Sequence, residues 1–436
     1  MRLRACHAYG KRIPCGLARA VLPMKAPLYY GYNIVAASFL IQGVTIGGNF
    51  AYGVLFKELE MEFGWSRATI AGASSASLLV MGFMAVLAGR LNDRIGPRWL
   101  LTASALFYGI GYLLFARLQA PWQLYLVYGL LVGIGLCTHD VVTLSTVARW
   151  FTRRRGMASA VVKVGTGCGQ LLVPLAVAAM VAGFGWRTAC VVFGATALVV
   201  LAAAAQVMRP DPESMGLRAD GAVGRGNLGQ PGAAQPDPYA GSAARSPLFW
   251  ILCCSQAIVF ACLITITIHI VPHATDLGAP RATAAAVISA IGGISVLGRL
   301  AVGGAIDRIG GRRALIACYA ALFASLVWLQ FATETWMLFV FAAVYGVAHG
   351  GFFTVMSPTV AEFFGTRVHG ALFGMVLMFG SIGGAIGPLA AGAVFDATGS
   401  YRIAFGVLLG LAVAGLVLVT RLPPMRGPRA VVATSS

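Results

Sequence analysis

Residues 291–313 read IGGISVLGRLAVGGAIDRIGGRR, an apolar run with one arginine, Arg299, ending in a compact glycine-rich loop. The same loop stands earlier as Gly89-Arg90-Leu91-Asn92-Asp93-Arg94-Ile95-Gly96-Pro97-Arg98. Asp93 corresponds to Asp307, Arg94 to Arg308 and Gly96 to Gly310, at a constant offset of 214 residues. The offset persists in Gly156 and Gly370, Gly169 and Gly383, and Pro174 and Pro388. A fixed offset near half of the 436-residue chain marks two copies of one unit fused head to tail.

Composition places that unit in a membrane. The chain is 58% hydrophobic and 11% charged, with a mean hydropathy of +0.81, outside the range of a water-soluble domain of this size. Its net charge of +18 raises nucleic acid as a partner, but the distribution excludes it. Most basic residues fall in the N-terminal tail, the C-terminal tail and alternate gaps between apolar runs. The intervening gaps hold only Lys57, Arg67, Arg117, Arg187, Arg281 and Arg402. This alternation is the positive-inside pattern and puts both termini in the cytoplasm.

A helical span needs about 20 apolar residues. Twelve runs qualify, near 30–56, 67–90, 97–117, 122–148, 156–182, 186–208, 247–272, 281–305, 313–332, 336–360, 367–394 and 401–421. The expected fold is an all-α integral membrane protein, with twelve transmembrane helices in two parallel six-helix pseudo-repeats. Residues 29–208 form the first bundle and 247–422 the second. Residues 1–28 are basic and read as a disordered cytoplasmic tail, with Met24 an alternative start. Residues 209–246, rich in Gly, Ala and Pro, read as a flexible linker, and 423–436 as a second cytoplasmic tail. Glycines at 165, 167 and 169, and at 380, 383, 384 and 387, allow close helix contact where no hydrophobic effect separates helix from lipid. Pro174 and Pro388 are expected to kink matched helices. The nine cysteines include no CxxC pair and read as packing residues. Trp65, Trp122, Trp186, Trp250 and Trp336, at run ends, read as interfacial anchors.

Twelve spans in two halves, with a G-x-x-x-D-R-x-G-x-R loop after the second and eighth, resemble the major facilitator superfamily. Leu55-Phe56-Lys57-Glu58-Leu59, Phe184-Gly185-Trp186-Arg187 and Ser295-Val296-Leu297-Gly298-Arg299 narrow the resemblance to the bacterial oxalate/formate antiporter and monocarboxylate transporter group. It implies a secondary transporter in a bacterial plasma membrane, working by alternating access.

Ionisable groups inside a bilayer are costly and are candidates for function. Arg299 lies about 12 Å along its helix before Asp307. Depth alone leaves two readings, an arginine snorkelling to the interface or a buried anchor. The resemblance implies the anchor, since both groups place a substrate-binding arginine in the eighth span, where a planar guanidinium pairs bidentately with a carboxylate. Lys163 lies about 10 Å into the fifth span. The resembling group carries its second cation on the eleventh span, where this chain has Leu377 at the matched position. Lys163 on the repeat-equivalent helix would still bring two cations to one cavity; otherwise it packs against a permanent acid. Asp140 is the carboxylate of mid-span, and two roles are open to it: carrying the coupling proton or neutralising Lys163. His139 adjoins it in sequence, so the two are expected on different helix faces.

His349, mid-span in the tenth helix, is read as a substrate or proton ligand or a satisfied core histidine. Gln42, Asn49, Tyr52 and Gln256 are candidate cavity hydrogen-bonders, with interhelical adhesion the plain alternative. His269 and His273 fall near the outer end of the seventh span. The duplicated loops suggest gating by Asp93, Arg94, Asp307 and Arg308: an aspartate at one helix end can accept from an arginine and from the N-terminal amides of a neighbour. Ser295 stands where the monocarboxylate group has an acid, and Phe50 where it has a lysine, so lactate-type proton symport does not follow directly.

No P-loop, zinc spacing, nucleophile elbow or histidine box appears, so neither an enzyme nor a cofactor is expected. An inside-negative potential opposes anion entry by about 2.3 kcal/mol per charge per 100 mV. The expected partners are therefore a small organic anion, either mono- or dicarboxylate, with a proton or counter-anion, and the lipid bilayer; the protein is expected to be a monomer. An exporter of lipophilic or cationic compounds is the alternative. It predicts acids outnumbering bases at mid-span, whereas here two cations meet one acid. A non-transporting nutrient sensor would need a long structured tail or loop.

Overall fold

The computed structural model describes residues 29–221 and 245–424. The expected tail 1–28, most of the linker and most of the tail 423–436 lie outside them. Twelve helices among the described residues are long and apolar enough to cross a membrane. They are α1 (Gly31–Phe63), α2 (Arg67–Ile95), α3 (Pro97–Phe115), α4 (Pro121–Trp150), α5 (Arg155–Phe184), α6 (Trp186–Val207), α7 (Pro247–Asp276), α8 (Arg281–Ile309), α9 (Gly311–Phe331), α10 (Thr335–Phe364), α11 (His369–Thr398) and α12 (Tyr401–Thr420). No strand occurs among the described residues.

The motif glycines have a geometric cause. Gly96 and Gly310 end α2 and α8 at φ +81° and +83°, with ψ near 170° and 160°, a region closed to side chains by steric clash. A glycine there turns the chain directly into the next helix. Each motif aspartate stands three residues upstream, on the last turn of its helix.

Matched contacts hold each half together. Gly47 on α1 lies against the carbonyl of Gly169 on α5, and a Cβ on Gly47 would come within 2.7 Å of it. In the second half, a Cβ on Gly387 of α11 would come within 2.6 Å of the Ala261 carbonyl on α7. Removing side chains at these crossings allows backbone-to-backbone dispersion contact. Pro174 and Pro388 both lie inside continuous helices.

Across the halves, α2 packs on α11 and α5 on α8. The first row runs from Gly89 beside the Gly370 carbonyl to Gly82 beside Ser381, and the second from Gly156 beside Gly303 to Gly167 beside Val296. Both rows begin at the duplicated loops and reach about mid-helix. Further along α8, Gly292 and Gly293 face open space.

Three features depart from the sequence reading. α1 continues to Phe63, about two turns past the apolar run, because a helix ladder need not stop where lipid does. α4 is not uniform: Tyr125–Val132 is π-helical, α-helix returns over Gly133–Leu136, and after a turn at Cys137 it continues from Thr138. The start of the linker packs instead of hanging free. Asp220 accepts from the Thr152 amide (3.1 Å), the Arg153 amide (2.8 Å) and the Thr152 hydroxyl, holding the loop between α4 and α5.

Candidate functional site

Five of the expected residues, Gln42, Asp140, Lys163, Arg299 and His349, converge from α1, α4, α5, α8 and α10. Ser295 and Arg299 are one turn apart on α8, and His349 and Phe353 one turn apart on α10, so each pair shares a helix face. The two faces can meet because Gly350 has no side chain; a Cβ there would press on the Ser295 carbonyl and stand 2.9 Å from the Arg299 amide. His349 Nδ1 is 3.1 Å from Ser295 Oγ. The Lys163 ammonium and the Arg299 guanidinium lie over the same ring, Phe353, at 5.5 and 5.6 Å from its centre. The ring's negative face suits both cations.

Arg299 is only 2% exposed. Its Nη1 donates to the Lys163 carbonyl at 2.9 Å, while its Nε is buried with no partner. Among the described residues it joins no ion pair. Space for the guanidinium comes from Gly167, whose Cβ would stand 2.6 Å from Nη1.

Lys163, also 2% exposed, pairs with Asp140. Asp140 further accepts from Gln42 Nε2 at 2.7 Å. The same Gln42 nitrogen lies 3.0 Å from the His139 carbonyl and 3.1 Å from Thr143 Oγ1, and its oxygen accepts from Thr166 Oγ1 at 2.8 Å. The cluster thus holds two fixed cations against one carboxylate.

His139 contradicts the helix-face expectation. Its Nδ1 turns back to the Leu136 carbonyl at 2.6 Å, and Nε2 comes within 3.4 Å of Asp140 Oδ2. Both residues lie in the first turn of the segment Thr138–Trp150, where the imidazole tilts back toward the preceding turn and its far nitrogen still reaches the neighbouring carboxylate.

Asn49 and Tyr52 do not join the cluster. At 1.5 Å per residue they lie about 10 and 15 Å up α1 from Gln42. Tyr128 donates to Asn49 Oδ1 at 3.1 Å, and Tyr52 donates to the Ile70 carbonyl at 2.7 Å while stacking on Tyr128. Tyr52 belongs to the core of the first half, and Asn49 is half-buried beside it. Gln256 is buried at the α7–α11 contact, with its Cγ 3.0 Å from where a Cβ on Gly380 would stand. His269 bridges Tyr401 and the Pro388 carbonyl, and the His273 ring packs on Phe405. Trp186 is buried, not an interfacial anchor, and donates to Glu62 at 2.6 Å.

At the duplicated loops, Asp93 accepts from the Gly370 and Ala371 amides at 3.2 and 2.9 Å. Asp307 accepts from the Gly156 and Met157 amides at 2.6 and 2.9 Å. Each aspartate of one half therefore caps a helix N-terminus of the other, where the macrodipole favours negative charge. Arg94 and Arg308 are exposed and stand outside these contacts. The arginine that pairs with Asp93 is Arg149, at the end of α4. Arg94 and Arg308 follow their aspartates directly, so on a helix they face another way.

Sequence reading missed Phe353 and Arg149. Phe353 stands four residues after His349, which was a usable signal; Arg149 offered none, since its partner is set by the packing of α4 on α2.

The sequence pattern of the Major Facilitator Superfamily matches residues 38–304 and, overlapping them, 264–435. The chain belongs to the Major Facilitator Superfamily. It is therefore a multi-pass membrane transporter and not an enzyme. Within the superfamily, it is 26% identical to monocarboxylate transporter 13 of Rattus norvegicus, covering 90% of this chain and 89% of that one. It is 27% identical to human monocarboxylate transporter 11, covering 92% and 85%. A fungal relative, the agnestins efflux protein AgnL12 of Paecilomyces divaricatus, is 25% identical over 88% and 84%. Among solved superfamily structures, the proton:xylose symporter XylE superposes with a TM-score of 0.67 at 14% identity, covering 91% of this chain and 97% of that one. The human organic anion transporter MFSD10 superposes at 0.66 and 15%, covering 89% and 99%.

Proposed function

We propose that this transporter carries a small organic anion with a carboxylate, held by Arg299 over Phe353. The observation that carries the reading is a buried guanidinium with an unpartnered Nε and, among the described residues, no ion pair. A buried charge without a counter-charge is expensive, and an incoming carboxylate removes that cost. With Lys163 already matched by Asp140, the cluster lacks one negative charge, which suits a monocarboxylate. A dicarboxylate needs Asp140 to take up a proton and release Lys163. That same step is the route for proton coupling, with His139 beside Asp140 as relay and His349 as a neutral donor or acceptor near the anion. Exchange for a second anion meets the same charge requirement without it.

The halves rock about this cluster. Asp93 and Asp307 latch the loop side, which we assign to the cytoplasm from its basic residues, so the contacts support an outward-facing state. Arg149 takes the part first given to Arg94; Arg308 has no part in the latch. The protein works as a monomer in a plasma membrane, bacterial by its resemblance to the oxalate/formate group. The names of the relatives support the carboxylate class. The fungal efflux relative favours a second reading, an exporter, whose cargo here would be a lipophilic or cationic compound instead of a carboxylate.

The deciding experiment is thermal stabilisation of the purified protein by a panel of mono- and dicarboxylates, wild type beside Arg299→Gln. A ligand that binds only the folded state raises stability by mass action. A shift with a monocarboxylate, lost in Arg299→Gln, is expected. Stabilisation by lipophilic compounds alone would replace this reading with the exporter.

A further inference from the structure

On the side opposite the duplicated loops cations are scarce: only Lys57, Arg67, Arg117, Arg187, Arg281 and Arg402 stand in its gaps. Two of them line one open cavity of about 520 Å³, between the loop after α3 and the first turn of α6. Arg117 and Gln119 come from the loop, and Arg187, Thr188 and Val191 from α6. Arg187 pairs with Glu62, its Nη1 2.5 Å from Oε1, and its guanidinium lies over the Trp186 ring, 4.4 Å from the centre. Arg117 is exposed and joins no ion pair among the described residues. The cavity therefore has more positive than negative charge.

Its setting is a membrane surface. Further along α3 and α6 from the arginines, Ile110, Leu114 and Val191 are 42–44% exposed, an apolar wall of the kind that lipid covers on a membrane span. Trp122, 65% exposed at the start of α4, marks the interfacial level.

We propose that this cavity binds the phosphate of an anionic phospholipid, with its acyl chains against the α3–α6 wall. Guanidinium forks suit phosphate oxygens, and Gln119 and Thr188 add neutral hydrogen bonds. The shared chemistry is phosphate; the adjoining apolar wall selects the lipid source over a free phosphate ester. The site is separate from the Arg299 cluster and does not depend on the transported substrate.

The test is native mass spectrometry of the full chain in detergent, with phosphatidylglycerol, chain-matched phosphatidylcholine and soluble glycerol phosphate as probes. Wild type is expected to retain phosphatidylglycerol over phosphatidylcholine. Arg117→Gln should weaken that retention several-fold, and Arg117→Gln with Arg187→Gln about tenfold or more. Because Arg187 also holds Glu62, Arg117→Gln alone decides if the double variant does not fold. Equal retention by wild type and Arg117→Gln overturns the proposal. So does displacement of the lipid by glycerol phosphate at equal concentration, which would make this a site for free phosphate esters.

Discussion

The side chain of Arg299 is tied to the main chain of Lys163: its Nη1 donates to the Lys163 carbonyl at 2.9 Å across the boundary between the two halves. The bond joins the two halves at the level of the buried cations, so the two basic residues stand side by side although each comes from a different copy of the repeat.

The fork of Arg299 matters as well as its charge. Arg299→Lys keeps the cation but loses bidentate geometry, and carboxylate affinity should fall about tenfold or more. Arg299→Gln should abolish binding yet leave the empty protein as stable as wild type or more so, because it removes an unpaired buried charge. Melting curves with and without substrate check both. A strongly destabilised Arg299→Gln would show that the guanidinium is structural.

The Asp140–Lys163 pair is expected to be structurally coupled. Asp140→Asn strands a buried ammonium and should cost about 3–5 kcal/mol; Lys163→Met in that background should restore most of it. A double-mutant cycle on thermal or denaturant unfolding measures the coupling. Additive single effects would mean that the two charges do not depend on each other.

Gly167→Ala puts a methyl 2.6 Å from Arg299 Nη1 and 3.0 Å from Val296 Cγ2. The guanidinium is the movable end, so the fold should survive while the anchor shifts. We expect weaker carboxylate binding, by about tenfold, with little change in melting temperature. Unchanged affinity would place the substrate elsewhere.

Asp93→Asn and Asp307→Asn each weaken charge-assisted bonds between the halves, worth about 1.5–3 kcal/mol. Each should shift the population toward states open on the loop side by about tenfold or more, the double variant further. Spin-label distances across the two loops report the shift. Arg94→Gln and Arg308→Gln should leave the distances unchanged; an effect as large as that of the aspartates would restore those arginines to the latch.

Much of the architecture was legible in the sequence because lipid imposes a one-dimensional rule: each crossing needs an apolar run of set length. The repeat was legible because duplicated loops keep their glycines, and Gly96 and Gly310 show why, with backbone angles that other residues resist. Arg299, Lys163 and Asp140 stood out because a charge within an apolar run is costly wherever it points.

Which charges meet was a different matter. Only tertiary structure decided that Asp140 pairs with Lys163, that Arg299 joins no ion pair among the described residues, and that Phe353 lies beneath both cations. It also separated Asn49 and Tyr52 from Gln42, though all three share one helix, and gave Arg149 the place beside Asp93. The physical reason is that burial can be read from a run of residues, whereas partnership depends on which helix faces meet. Those faces are set by glycine contacts between segments far apart in the chain, and by a π-helical stretch in α4 that local spacing did not reveal.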